Sequence, residues 1–200
     1  MSAPRLLDLF CCQGGAGKGY ADAGFEVVGV DIEPQPRYPF EFHQGDALEY
    51  LASHWMEYDA VHASPPCPRY APVTAWRGSQ DDHPDLVGPT RDALVATGLP
   101  WIIENVPAAP LRPDYLLCGT MFGLRIQRHR AFETSWGGGL QPQCGSHVGV
   151  LPFMHKGERA FADALGCSWM TNRGGREAIP PAMTEFLGEQ LLAHIQGVAA

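Results

Sequence analysis

The chain has 200 residues, 45% hydrophobic and 18% charged, which suits a globular protein with one sizeable core and leaves no room for two full domains. No run approaches the roughly 18 apolar residues of a membrane helix, and residues 1–10 hold neither a long apolar stretch nor a small-residue cleavage site, so neither a membrane protein nor a secreted precursor is expected. The formal net charge of −8, from 14 Lys and Arg against 22 Asp and Glu, argues on its face against a nucleic-acid partner, because cations hold phosphate backbones.

Residues 6–10 form a short apolar run that breaks into Cys11-Cys12-Gln13-Gly14-Gly15-Ala16-Gly17-Lys18-Gly19. Helix-compatible sequence begins at Tyr20 and stops at Gly24, giving strand, glycine-rich turn and helix. Residues 26–31 predict a second strand ending in the acid Asp31. A Pro-rich loop (Pro34, Pro36, Pro39), Gly45-Asp46, a helix over 47–55 and a strand over 59–63 follow. Helix-compatible residues 85–97 lead to a buried-type strand at 101–103, which stops at Glu104. Short apolar strands alternating with helices predict an α/β fold with a mostly parallel sheet and helices on both faces, its chemistry at the carboxyl ends of the strands. Residues 134–158, rich in Gly with Pro, Cys, His and Trp, predict a small irregular insertion. A helix over 159–165 and a last one over 182–195, after Pro180-Pro181, complete the pattern.

The charge is unevenly spread. Residues 1–111 hold 6 basic and 15 acidic side chains, and residues 112–200 hold 8 and 7. Within 125–176 there are seven cations (Arg125, Arg128, Arg130, Lys156, Arg159, Arg173, Arg176) against three acids, a local balance of +4. If DNA is a partner, it belongs on that stretch. The six cysteines include an adjacent pair and lie in apolar or motif-like surroundings, as expected of a reduced, cytoplasmic chain.

The glycine turn suits a nucleotide-type cofactor or a plain structural turn. A phosphate-binding P-loop is excluded at two positions, since Cys12 stands where its first Gly belongs and Gly19 where Ser or Thr belongs. Asp31, about 20 residues on, is where a ribose hydroxyl pair is held, which favours a nucleoside-containing ligand. In Ser64-Pro65-Pro66-Cys67-Pro68-Arg69 the prolines clamp a thiol at a strand tip, which favours a nucleophile over a buried structural cysteine. Glu104 ends an apolar strand with no helical or hairpin task. Cys144 and His147, with His155 and Cys167 further on, have loose metal-ligand spacing, so uncoordinated loop residues and no metal are expected.

In order along the chain, Asp8-Leu9-Phe10 with Gly14-Gly15, Gly45-Asp46, Pro65-Pro66-Cys67, Glu104-Asn105-Val106, Arg128-His129-Arg130 and Ala178-Ile179-Pro180-Pro181 resemble the motifs of the DNA cytosine-5 methyltransferases. With Leu117-Cys118-Gly119 and Phe122-Gly123-Leu124, the pattern is most similar to the compact phage-encoded members, and only about 135–170 lies outside it. The resemblance implies a Rossmann-like S-adenosylmethionine-dependent fold, with a catalytic and cofactor-binding part over 1–134, a reduced target-recognition region over 135–170, and a returning segment over 171–200. It places the cofactor against Phe10, Gln13, Gly14, Gly15, Asp31, Ile32, Asp46, Ala47, Pro66 and Glu177. It implies Cys67 as the nucleophile on carbon 6 of a flipped cytosine in double-stranded DNA, Glu104 at ring nitrogen 3, and Arg128 and Arg130 as the paired arginines, one at the cytosine carbonyl and one near the nucleophile or the DNA backbone. A nearby guanidinium is expected to lower the Cys67 pKa. Pro68-Arg69 replaces the family's usual Gln, Cys12 a further Gly, and Arg176-Glu177 the usual Gly-Asn. The short recognition region implies a site of about two to four base pairs. The expected setting is a monomer in a bacterial host cytoplasm, with downstream DNA-modifying enzymes as further partners. The alternatives are a DNA-binding protein that has lost turnover, and an enzyme acting on RNA or a cytosine nucleotide.

Overall fold

The computed structural model describes residues 2–76, 78–151 and 159–197. The chain runs β1 (Arg5–Leu9), α1 (Gly15–Ala23), β2 (Glu26–Asp31), β3 (Glu41–Gln44), α2 (Ala47–His54), β4 (Ala60–Ala63), α3 (Pro72–Ala75), α4 (Val87–Thr97), β5 (Trp101–Asn105), β6 (Tyr115–Cys118), β7 (His129–Thr134), α5 (Ala160–Ala164), α6 (Asn172–Glu177) and α7 (Pro181–Ile195). The seven strands form one sheet in the order β3-β2-β1-β4-β5-β7-β6. All are parallel except β7, which runs antiparallel to β5 and to β6.

The central strands are apolar on both faces because both faces are covered. Alternation along each strand sends Leu6, Ala60 and Ile102 to one side, where they meet Tyr20 of α1 and Met183, Leu187 and Leu191 of α7. Leu7, Leu9, Val61, Ala63 and Ile103 point to the other, against Leu51 of α2 and Leu94 of α4. This is a Rossmann-like α/β fold, as the residue pattern predicts. A third, smaller cluster joins Ile126 to Phe161, Leu165, Cys167, Met170 and Ala178. Residues 135–150 form no helix or strand, and the bridge from Ile126 to Leu151 ties the end of that segment back. Among the described residues no helix is long and apolar enough to cross a membrane.

Several elements differ from the sequence expectation. Helix α1 begins at Gly15, five residues before Tyr20, although Gly weakens a helix interior. The glycines are needed because α7 lies directly on α1: a Cβ at Gly19 would stand 2.1 Å from the Pro181 carbonyl oxygen and 2.2 Å from Thr184 Oγ1. Strand β3 is a half-exposed edge strand without an apolar run. Strands β6 and β7 lie in sequence whose pairing is set by partners far along the chain.

Candidate active site

The order of strands reverses between β1 and β4, and in open α/β sheets ligands bind at the carboxyl ends beside such a switch point. Here the turn after β1 and the Pro-rich loop after β4 border a cavity of about 280 Å³. Phe10, Gln13, Gly15, Pro66, Cys67, Glu104, Arg130, Arg173 and Glu177 line it, with Asp8 beneath.

Its floor is fixed by a buried polar set. Asp8 accepts from Tyr38 Oη at 3.1 Å and lies 2.9 Å from His62 Nδ1, so β1, β4 and the Pro-rich loop are locked together under the turn. In that turn Phe10 and Cys12 take left-handed φ values of 58° and 47°, and Gly14, which caps α1, takes 82°. A non-glycine in this region costs roughly 1–3 kcal/mol and persists only where surroundings hold it. Cys12 is held by its N–H, which donates to Asp31 Oδ2 at 2.8 Å. The thiol thus stands on a backbone that glycine would adopt freely.

Asp31 ends β2, its second oxygen accepting from the Glu33 N–H at 3.0 Å. Ile32, beside it, has 66% of its surface exposed, an apolar side chain left in solvent next to the turn. Asp46 caps α2 through Oδ1, which accepts from Leu48 and Glu49 N–H. Gln13 and Ala47 make further contacts within the protein. The Gln13 amide is taken up by Thr171, accepting its N–H at 2.8 Å and donating to its hydroxyl at 3.0 Å, so Gln13 ties α6's cap to the turn. The Ala47 methyl is buried among Leu51 and its neighbours, away from the cavity lining.

The other half of the cavity carries the reactive groups. Asn105 donates from Nδ2 to the Pro65 carbonyl at 2.8 Å, which fixes the Cys67 loop against β5. Glu104, on the same strand and 5% exposed, pairs with Arg130 of β7 at 2.7 Å. Because β7 is reversed, its amino end meets the carboxyl end of β5 at the same sheet edge. Glu104 Oε1 and Arg128 Nε are nevertheless buried without a well-formed hydrogen bond among the described residues, and buried polar atoms of that kind call for a partner. The Arg128 guanidinium donates to the Arg176 carbonyl, linking β7 to α6.

Burial pushes the Cys67 thiol up from its ordinary value, and Glu104 adds to this. Arg130, and more weakly Arg128, pull it down without overcoming burial. The expected lowering by a guanidinium is present, and the desolvation effect is larger. Burial, then Arg130, works against the Arg128 cation, while Glu104, Cys67 and Glu177 offset this in part. Arg128 and Arg130 also spend their charge inside the protein, so the +4 of residues 125–176 is not all surface charge. Arg125, Arg159, Arg173 and Arg176 are exposed, and Lys156 lies outside the described residues.

The metal-type residues regroup. Cys167 is buried in the third apolar cluster and His155 lies outside the described residues, whereas Cys144 and His147 meet Cys118 and His129. Nothing in the local sequence signals this set, since Cys118 and His129 are neighbours only through β6–β7 pairing. Asp8 was legible only as part of a motif; its burial with His62 needs the β1–β4 register.

No family model matches the chain, and no curated protein matches it in sequence. The solved Entamoeba histolytica methyltransferase EhMeth superposes on it with a TM-score of 0.50 at 15% identity, over 73% of this chain and 58% of that one. The chain has a methyltransferase fold. Lesser superpositions are with the S. pombe Dnmt2 methyltransferase (TM-score 0.47, 18% identity, 72% of this chain and 52% of that one) and an Agrobacterium tumefaciens SAM dependent methyltransferase (0.33, 22%, 52% and 39%). The chain thus spans 58% or less of each.

On this methyltransferase fold the candidate residues sit in strand order along one edge. Asp46 follows β3, Asp31 ends β2, Phe10 follows β1, Cys67 follows β4, Glu104 lies on β5 and Arg130 on β7. Phe10, Asp31 and Asp46 thus occupy one side of the switch point and the thiol, acid and guanidinium the other.

Proposed function

We propose that this chain is an S-adenosylmethionine-dependent DNA cytosine-5 methyltransferase. The observation that carries the reading is the shared cavity: Cys67, Glu104 and Arg130 come from three separate segments and line the same space as the glycine turn. A cofactor fits the turn side on the chemistry of its donors. Asp31 and Asp46 keep carboxylate lone pairs beyond those used by backbone N–H groups, and exposed Ile32 and Phe10 offer apolar surface to a purine. When bound, S-adenosylmethionine supplies the electrophilic methyl group.

The chain's own residues do the rest. The target cytosine leaves the duplex stack to reach the cavity. Cys67 sulfur would form a bond to carbon 6 as its thiol proton is given up, and the ring's electron pair would move to nitrogen 3, which takes up a proton through Glu104. Carbon 5 of the adduct would then take the methyl group that the cofactor supplies, the cofactor's sulfur leaving as a neutral thioether; a base would take the carbon 5 proton, Cys67 would leave carbon 6 as thiolate and nitrogen 3 would give back its proton, restoring the ring. Arg130 orients Glu104 through the 2.7 Å pair and favours the thiolate. The exposed Arg125, Arg159, Arg173 and Arg176 are the side chains for the DNA backbone.

The test is transfer of label from methyl-tritiated cofactor to unmethylated duplex DNA, single-stranded RNA and a cytosine nucleotide in parallel. Label in DNA, with 5-fluorocytosine duplexes trapping wild type and not Cys67→Ala, is the expected result. Label confined to RNA or nucleotide overturns the substrate, and DNA binding without label in any arm overturns the enzyme reading.

A further inference from the structure

We propose that Cys118, His129, Cys144 and His147 bind one zinc ion that fastens the irregular segment after β7 to the edge of the sheet. The four ligand atoms, two sulfurs and two imidazole nitrogens, all lie within 4.8 Å of one another. Cys144 Sγ is 3.2 Å from His147 Nε2 and 3.7 Å from His129 Nε2, and Cys118 Sγ is 3.3 Å from His147 Nε2. With Zn–S near 2.3 Å and Zn–N near 2.0–2.1 Å, the sulfur–nitrogen edge of a regular tetrahedron is about 3.6 Å. The three separations bracket that edge. The two imidazole planes stand at 85°, so the rings approach from different directions.

Hydrogen bonding alone accounts poorly for the cluster. A thiol carries one proton, yet Cys144 has two imidazole nitrogens and the Thr120 hydroxyl around its sulfur. Metal binding resolves this. Two thiols release their protons to solvent, two imidazoles stay neutral, and the two thiolates balance the divalent charge. Thr120 Oγ1, 3.4 Å from Cys118 Sγ and 3.6 Å from Cys144 Sγ, supplies a hydroxyl donor beside the sulfurs, as outer-shell groups do in such sites. Sulfur and imidazole in equal number with tetrahedral spacing select zinc over hard cations.

The placement gives the site its role. Cys118 and His129 are register partners on β6 and β7 and form a rigid half-site, while Cys144 and His147 stand three residues apart in the loop. All four positions are filled by protein, so the metal would be structural. His129 stands between Arg128 and Arg130, so the clip would hold the loop one residue from the arginine that lines the cavity, Arg130, and from Arg128. The inference stands whether or not the chain methylates cytosine.

Untagged protein, purified without chelator under reducing conditions and reconstituted with zinc alone, is expected to hold close to one zinc per chain by plasma mass spectrometry. Cobalt(II) in its place is expected to give the intense long-wavelength bands and sulfur charge-transfer absorption of a tetrahedral S2N2 centre. The Cys144→Ser/His147→Ala variant changes loop residues only, and is expected to lose at least tenfold in bound zinc while keeping its far-ultraviolet dichroism. Cys167→Ser is expected to keep its zinc. Wild type without zinc after reconstitution, an octahedral cobalt spectrum, or full zinc retention by the double variant would overturn the proposal.

Discussion

Replacing Arg130 with Met tests whether the cavity is organised by its ion pair. The Arg130–Glu104 contact is 2.7 Å long with side chains 10% and 7% exposed. Removing one partner of such a buried pair costs about 3–5 kcal/mol, because the other charge stays behind uncompensated. The Arg5–Glu26 pair, at 3.2 Å but 32% and 58% exposed, belongs with surface pairs worth about 0.2–1 kcal/mol. Domains of this size lose about 2–4 °C in Tm per kcal/mol, so Arg130→Met is expected to melt about 6–20 °C lower and Arg5→Met within a few degrees of wild type. Urea denaturation followed by circular dichroism gives the free energies. A double variant, Glu104→Gln with Arg130→Met, removes both charges and is expected to recover most of the loss. A loss below about 1 kcal/mol in Arg130→Met, or a double variant no more stable than the single one, would refute the reasoning.

Four further outcomes follow from particular contacts. Because burial holds the Cys67 thiol above its usual range, its alkylation by iodoacetamide, read by peptide mass spectrometry, is expected to rise about tenfold per pH unit up to pH 9; a plateau below pH 8 contradicts this. Burial pushes Cys167 up to about 11, so the folded chain keeps a proton that the unfolded chain loses above about pH 8.5. Its contribution is therefore fully present below that pH and falls by up to ~1.4 kcal/mol per pH unit above it, and Cys167→Ala is expected to flatten the alkaline slope in urea titrations. Gly19→Ala would drive a methyl group into Pro181 and Thr184, and at least the usual ~1–3 kcal/mol of overpacking is expected; unchanged stability would mean that α1 and α7 pack differently. Arg173 has 85% of its side chain exposed, and Arg173→Ala is expected to weaken duplex binding and lower the salt slope by about 0.9 in fluorescence anisotropy; an unchanged slope removes α6 from the DNA face.

Most of the sheet and half of the site could be read directly because they depend on local chemistry. β1, β2, β4 and β5 are short, mostly apolar runs, broken only by Asp8 and His62 and ended by turn residues or acids, and Glu104 and Cys67 stand where those runs stop or just past it. The start of α1, from Gly15 to Gly19, escaped because glycine propensity says little about a helix that exists to let α7 approach. β3 escaped because Glu41-Phe42-His43-Gln44 is an edge strand with too little apolar content. Pairing was the larger barrier: neither the Cys118–His129 adjacency nor the reversal of β7 is encoded within any short window. The net shift of Cys67 lay beyond the sequence for a related reason. A neighbouring arginine can be inferred from a motif, whereas the depth of burial that outweighs it depends on the whole fold.

The reversed strand β7 also ties two centres to one pairing register. Its side chains alternate, so Arg130 enters the cavity while His129 turns toward the two thiols. A slip of β7 by one residue against β5 and β6 would exchange these directions. An imidazole would then face Cys67 and a guanidinium the sulfur cluster, undoing two centres with one frame change. The connector before His129 and the segment after Thr134, anchored by Trp136 on His194 and Gln141 on Leu116, both have to accommodate that register.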